Sequence, residues 1–254
     1  MRVAVGGTVT ARTAVFAPLT SGGRAEAVVQ RIAESASLGL LADGEQLPSE
    51  SELAAQLGVS TVTLREALAS LREQGLVETR RGRNGGSFIR VPGDPAAAVL
   101  RARLAGLSVS DLRDAGDELA AVSGAAARLA ASRASTDNVR RLLTLAERIR
   151  TAGGIGERTR ADSRFHIEVA VAAASERLTR AEVSLQGELG LILWAASDAA
   201  DAGRAAEQHK AVALAISRED AVAARDLAEQ HVEQNTHRLI EARIELHGGA
   251  GHGR

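Results

Sequence analysis

None of the chain's 4 prolines lies beyond Pro95, and the sequence that follows is rich in alanine, leucine, arginine and glutamate. Proline interrupts a helix because its ring clashes with the preceding turn and it has no N–H to donate. The proline-free stretch therefore reads as helix after helix, at about 95–106, 110–132, 136–151, 157–174, 176–200, 204–217 and 219–246. Ser108, Gly153, Gly154 and Gly203 are among the signals that separate these helices. They form an all-α bundle of six or seven helices, and no motif recurs at the period of about 20–50 residues that marks a solenoid. Pro92, Gly93, Asp94 and Pro95 make a hinge-like break ahead of the bundle. With 254 residues and 45% apolar content, the chain can bury a core in each of two domains, expected at 20–92 and 97–246.

The segment before the break carries a different pattern. Residues 24–39 place Ala27, Val28, Ile32 and Ala36 near one helical face, and Gly39 and Gly44 stop that helix. Ser49 and Glu52 have the spacing of a capping box, and the short helix they open ends at Gly58. Ser60 then caps a second helix, expected to bury Val62, Leu64, Leu68 and Leu71 and to close at Gly75. Two short helices across a glycine-containing turn make a helix-turn-helix. Alternation in LVETR and SFIRV around the glycine-rich RRGRNGG adds a two-stranded wing. The expected fold is mainly α: a winged helix-turn-helix followed by the helical bundle.

Composition narrows the partners. A net charge of -1 is no electrostatic footprint for nucleic acid, so DNA binding must rest on local placement such as the crowding of Arg80, Arg81, Arg83 and Arg90. Aromatic residues are 2% of the chain, too few for stacking platforms that read single strands, which leaves duplex DNA. No cysteine is present, so disulfides, thiolate zinc fingers and cysteine catalysis are excluded, and a transition metal would need imidazole and carboxylate. No apolar run approaches the roughly 18 residues that cross a bilayer and no signal peptide is recognisable, so the expected location is the cytoplasm, away from membranes.

The stretch LPSESELAAQLGVSTVTLREALASLREQGLVETRRGRNGGSF resembles the winged-helix domain of the GntR family of bacterial regulators. The resemblance implies that the helix beginning at Ser60 enters the major groove of double-stranded operator DNA, with Thr61, Thr63 and Arg65 reaching bases and phosphates. It places Arg83, Asn84, Gly85 and Gly86 of the wing at the minor groove, where glycine permits close approach and arginine favours a narrow negative groove. Glu66 reads as orienting Arg65. Many relatives carry arginine where this chain has Ser51 and Thr61, so the operator read here is expected to differ.

Four chemistry-bearing residues stand out in the bundle. Asp162 and His166 lie four apart, one above the other on a helix, while His209 and His231 each sit at the edge of an apolar stripe. Taken singly, a histidine is more often an ordinary half-buried side chain than a ligand. Phe165 and His166, then QHKAVALAI, then the later QH, resemble the FCD effector-binding domain found fused to GntR-type winged helices. That resemblance implies a divalent metal, zinc first with nickel, manganese or iron as alternatives, held by Asp162, His166, His209 and His231. It also implies a small organic-acid effector completing the shell. Arg164 and Arg128 are the candidate anion partners. Leu119 and Ser123 stand where relatives often carry arginine and glutamate, and Glu176 where they carry asparagine, so the usual carboxylate clamp is missing. His237, His247 and His252 do not fit the cage spacing, and the tail HGGAGHGR is expected to be disordered.

Taken together, these readings predict a homodimeric transcription regulator whose operator affinity responds to an effector at the metal site. A metal that is itself the signal, or only a structural staple, remains open. A metalloenzyme with a DNA-binding appendage is remote, because no second acid or base stands at recognisable spacing and no phosphate loop is present. The expectation is not an enzyme.

Overall fold

Side-chain caps set most of the helix starts. The computed structural model describes residues 10–19, 24–82, 85–91, 93 and 97–250. Thr10, Ser49, Ser108, Ser135 and Asp198 each form a reciprocal capping box with the residue three positions on, and Ser60 and Ser175 cap with the side-chain oxygen alone. Such caps satisfy amide groups that the first turn leaves without partners.

The N-terminal region comprises α1 (Ala11–Val15), α2 (Ala25–Ser37), α3 (Glu50–Leu57), α4 (Thr61–Glu73), β1 (Val77–Arg80) and β2 (Gly86–Ile89). Gly58 ends α3 with φ +69°, a left-handed conformation that glycine adopts without the strain a Cβ brings. Strands β1 and β2 pair antiparallel from Val77 opposite Ile89 to Arg80 opposite Gly86. The preceding loop buttresses them, with Leu47 N–H donating to Ser87 O at 2.9 Å and Ile89 N–H to Glu45 O at 2.8 Å. Here is the predicted helix-turn-helix with its wing. Two details differ from expectation. The short α1 carries no period a sequence scan can detect, and Val62 is 62% exposed rather than buried, because it sits in the first turn of α4 beyond the reach of the core.

The bundle comprises α5 (Ala97–Gly106), α6 (Val109–Arg133), α7 (Thr136–Arg148), a 3-10 turn at Ile149–Thr151, α8 (Ile155–Ala172), α9 (Glu176–Ala195), α10 (Ala199–Ser217) and α11 (Ala221–Ala250). Among the described residues these are the seven helices expected. Helix α11 runs on through Ala250, into the segment expected to be disordered, and residues 251–254 lie outside the described residues. Helices α6 and α11 pack through glycine: a Cβ built at Gly116 would run into the Thr236 side chain, and one at Gly124 into that of Glu229.

Three apolar clusters form the core. One gathers Ala126, Ala127, Phe165, Val169, Ala213 and Ile216, and a second Leu112, Ile149, Leu189, Ile192, Trp194 and Val232, both inside the bundle. The third holds Val28, Ile32, Leu53, Leu64, Leu68 and Leu71 of the N-terminal region and continues into Ile167 and Val171 of α8 and Val183 of α9. The two regions thus share buried surface. Helix α8 turns one face to the N-terminal region and the other to the bundle interior.

Candidate metal centre and DNA-reading face

Asp162 and His166 lie one turn apart on the inward face of α8, and α10 and α11 bring His209 and His231 against them. All four are buried, His209 completely. One candidate ligand atom from each lies within 4.8 Å of the other three. Asp162 Oδ1 is 3.2 Å from His209 Nε2 and 4.0 Å from His166 Nε2, and the Nε2 atoms of His209 and His231 are 3.3 Å apart. Phe165 stacks on His209, ring centroids 4.1 Å apart and planes 10° from parallel, which holds that imidazole edge-on to the cluster.

The electrostatics suit a cation. Burial pushes His166 down to about 4 and His209 down to about 3, and holds His231 well below the usual imidazole range, so all three rings are neutral at pH 7 and offer lone pairs. Asp162 Oδ1, although close to His209, lies out of line for a hydrogen bond and has no partner for one. A buried carboxylate oxygen so placed among three neutral imidazoles fits a divalent ion, and three nitrogens with one oxygen fit zinc, nickel, manganese or iron. Residues Ser123, Phe165, His166, His209, Val212 and His231 line a cavity that offers a water-sized sphere about 10 Å³.

Beside the cluster lies a polar group that sequence reasoning missed. Glu182 on α9 is fully buried; it accepts from Ser123 Oγ at 3.0 and 3.2 Å and from Gln186 Nε2 at 3.0 Å, while Gln186 Oε1 accepts from Ser163 Oγ at 3.0 Å. Burial pushes its carboxyl up to about 7. The available signal was Glu182 and Gln186 lying four apart on a stripe otherwise made by Leu185, Leu189 and Ile192. Ser123, noted in the sequence as a departure from the family's glutamate, faces this carboxyl from α6.

On the DNA-reading side, Ser60 Oγ accepts from Thr63 N–H at 3.0 Å, and Thr61 and Arg65 are exposed beside Val62 on the N-terminal turns of α4. Arg65 Nε donates to Glu50 Oε2 at 2.7 Å, so Glu50 of α3, and not Glu66, orients it. Arg80 and Arg90, expected to face phosphates, both pair with Glu78 inside the hairpin, and Arg80 also lies over the Phe88 ring. A side chain at Gly85 would come within 2.5 Å of the backbone Arg80 O, so hairpin packing requires that glycine, whereas Gly86 is required by its φ of +150°, a conformation that L side chains rarely adopt. Arg83 and Asn84 lie outside the described residues, as do Pro92, Asp94 and Pro95 of the expected hinge.

The two candidate anion partners do not join the cluster. Arg164 leaves α8 on the opposite face from His166, where its Nη1 donates to Gly39 O at 3.3 Å, and Arg128 is exposed on α6. Helical spacing explains the first. Arg164 follows Asp162 by two residues, a rotation of about 200°, which carries it away from the ligand face.

Comparison with known proteins joins the two halves. The family of bacterial regulatory proteins called gntR matches residues 24–88, and the FCD domain matches residues 118–234. A Mycobacterium gastri protein described as an HTH-type transcriptional regulator, RmpR, is 42% identical over 226 residues, 88% of this chain and 82% of that protein. The chain belongs to the GntR family. The Uxu operon transcriptional regulator of Escherichia coli K12 is 30% identical over 210 residues, 78% of this chain and 79% of that one. Among solved structures, E. coli McbR/YncC has the same fold at a TM-score of 0.52 and 19% identity, covering 85% of this chain and 97% of that chain. A GntR regulator from Rhodococcus sp. RHA1 aligns at a TM-score of 0.51 and 22% identity, over 86% and 98%. This GntR member is therefore a DNA-binding transcriptional regulator of the FCD type and not an enzyme. Among its described residues no helix is long and apolar enough to cross a membrane.

Proposed function

We propose that this GntR regulator acts in the cytoplasm as a homodimer on an operator, and that a divalent metal held by Asp162, His166, His209 and His231 governs its response to a small organic acid. The convergence of four buried donors from three helices carries this reading. A bound ion would supply positive charge and open positions that attract a carboxylate. The chain's own residues do the rest: burial keeps the imidazoles unprotonated, Phe165 fixes His209, and the surrounding apolar wall excludes bulk water. The winged helix reads DNA through Thr61, Thr63 and Arg65 of α4, with the wing at the neighbouring groove, and two copies address an inverted repeat.

Coupling requires that the effector bind one arrangement of the DNA-reading regions better than another. Helix α8 is suited to carry it, since Asp162 and His166 face the cluster while Arg164, Ile167 and Val171 face the N-terminal region.

Cavity size favours a second reading, in which the metal alone is the signal or a staple. A space of about 10 Å³ holds about one water, so an organic acid requires the helices to part. The deciding experiment is elemental analysis of untagged protein ending near Leu246, wild type beside His166→Ala and His231→Ala, followed by operator titration with zinc and with carboxylates. Near-stoichiometric metal lost in both variants is expected. Zinc that shifts operator affinity unaided supports the second reading, and metal-free wild type would sink both.

A further inference from the structure

Of the three buried histidines, His231 has both ring nitrogens committed, and the partners leave one consistent assignment of protons. Gln208 Nε2 donates to Gln234 Oε1 at 2.6 Å, which turns the Gln208 carbonyl toward His231. Gln208 Oε1 then lies 2.7 Å from His231 Nδ1, and an amide oxygen only accepts, so Nδ1 carries the proton. On the far side, Arg238 Nη2 donates to Asn235 Oδ1 at 2.5 Å, which turns the Asn235 amide nitrogen toward His231 Nε2, 3.1 Å away. An amide nitrogen only donates, so Nε2 holds the bare lone pair. The chain of hydrogen bonds therefore runs in one direction, from Arg238 through Asn235, His231 and Gln208 to Gln234.

We propose that Gln208 is a positioning residue that fixes the His231 tautomer and so sets how tightly the cluster holds its metal. The inference rests on the metal reading above and concerns a residue outside the four donors. His231 Nε2 is the nitrogen that faces His209, and the hydrogen bond at Nδ1 keeps it unprotonated, with a lone pair that the Asn235 amide holds in the metal-free protein and would yield to an ion. His209 shows the contrast: its Nδ1 is buried with no hydrogen-bond partner, so no protein group orients that ring by its second nitrogen. The partner chosen at 208 also grades the basicity of the ring. A carboxylate there would draw the Nδ1 proton more strongly than an amide and strengthen Nε2 as a donor, whereas an apolar side chain would leave the tautomer unset. Gln208 is half-buried at the wall of an open cleft between α10 and α11, which leaves space for either replacement.

Metal-free full-length protein labelled with nitrogen-15 in its histidines tests the orientation directly. In wild type, and in Gln208→Glu, the His231 shifts should report a protonated Nδ1 and a bare Nε2; Gln208→Leu should lose that pattern. Zinc alone, titrated against a chromophoric chelator, should bind Gln208→Leu about 10- to 100-fold more weakly. Gln208→Glu should bind zinc more tightly than wild type. An unchanged His231 pattern in Gln208→Leu, or zinc affinities that move in the same direction in both variants, overturns the proposal. A wild type that takes up no zinc defeats the metal reading instead, and the nitrogen shifts then uphold or overturn the orienting role of Gln208 by themselves.

Discussion

Glu182 and the buried histidines titrate in opposite senses because burial penalises whichever form carries charge. His166 and His209 are driven down to about 4 and about 3 from 6.5, so the unfolded chain binds more protons as pH falls below 6.5, and stability declines with acidification. Glu182 is driven from 4.5 up to about 7, so its contribution is present below pH 4.5 and is lost as pH rises through 7. Replacing it by glutamine removes that loss. Metal-free Glu182→Gln should match wild type near pH 4.5 in thermal unfolding and exceed it at pH 8 by up to about 3 kcal/mol; a gap that does not widen with pH would show Glu182 ionised in the native protein. Arg65→Ala should weaken binding to a duplex selected from a random pool by about 1–3 kcal/mol, measured by anisotropy, with zinc uptake untouched. The four donors were legible because histidines are scarce and each falls on its own amphipathic stretch. Glu182, Gln208 and Asn235 were not, since their meaning comes from partners on other turns or other helices, such as Ser123, Gln234 and His231.

At the scale of the element, caps and glycines made most boundaries readable. Ser49, Ser60 and Ser108 announce α3, α4 and α6 through local hydrogen bonds that a sequence displays. Less visible were the turns after α8 and α10, where Ala174 (φ +51°) and Glu219 (φ +58°) take a left-handed conformation with no glycine to mark it. The exposure of Val62 was missed because helical periodicity alone does not tell where a helix leaves the core. Packing separates glycines that look alike in sequence. Gly116 meets Thr236 at the α6–α11 crossing, whereas nothing lies within 4 Å of a Cβ placed at Gly203 on α10. Gly203→Ala should therefore stabilise by about 0.5–1 kcal/mol through helix propensity. Gly116→Ala should destabilise, because overpacking of about 1–3 kcal/mol exceeds that gain. Chemical denaturation of the two variants checks the pair, and equal signs would mean that the crossing yields easily.

For the whole molecule, the informative feature is that the N-terminal apolar cluster reaches into α8 and α9. Sequence punctuation at Pro92–Pro95 pointed to two domains, each with its own core, and gave no hint of this shared surface, because Ile167, Val171 and Val183 also fit a bundle interior. A shared core predicts one cooperative calorimetric transition for the metal-free chain. Two resolved transitions would show that the seam contributes little. The same seam bears on engineering by domain exchange. Gly39 offers its carbonyl to Arg164 and leaves room where a Cβ would meet the Arg160 side chain at 3.1 Å, while Leu40 and Leu41 join the cluster completed by Ile167 and Val171. A graft of this winged helix onto another bundle must carry these α8 residues with it, or the recipient will inherit a head with no fixed bearing on the helices below it.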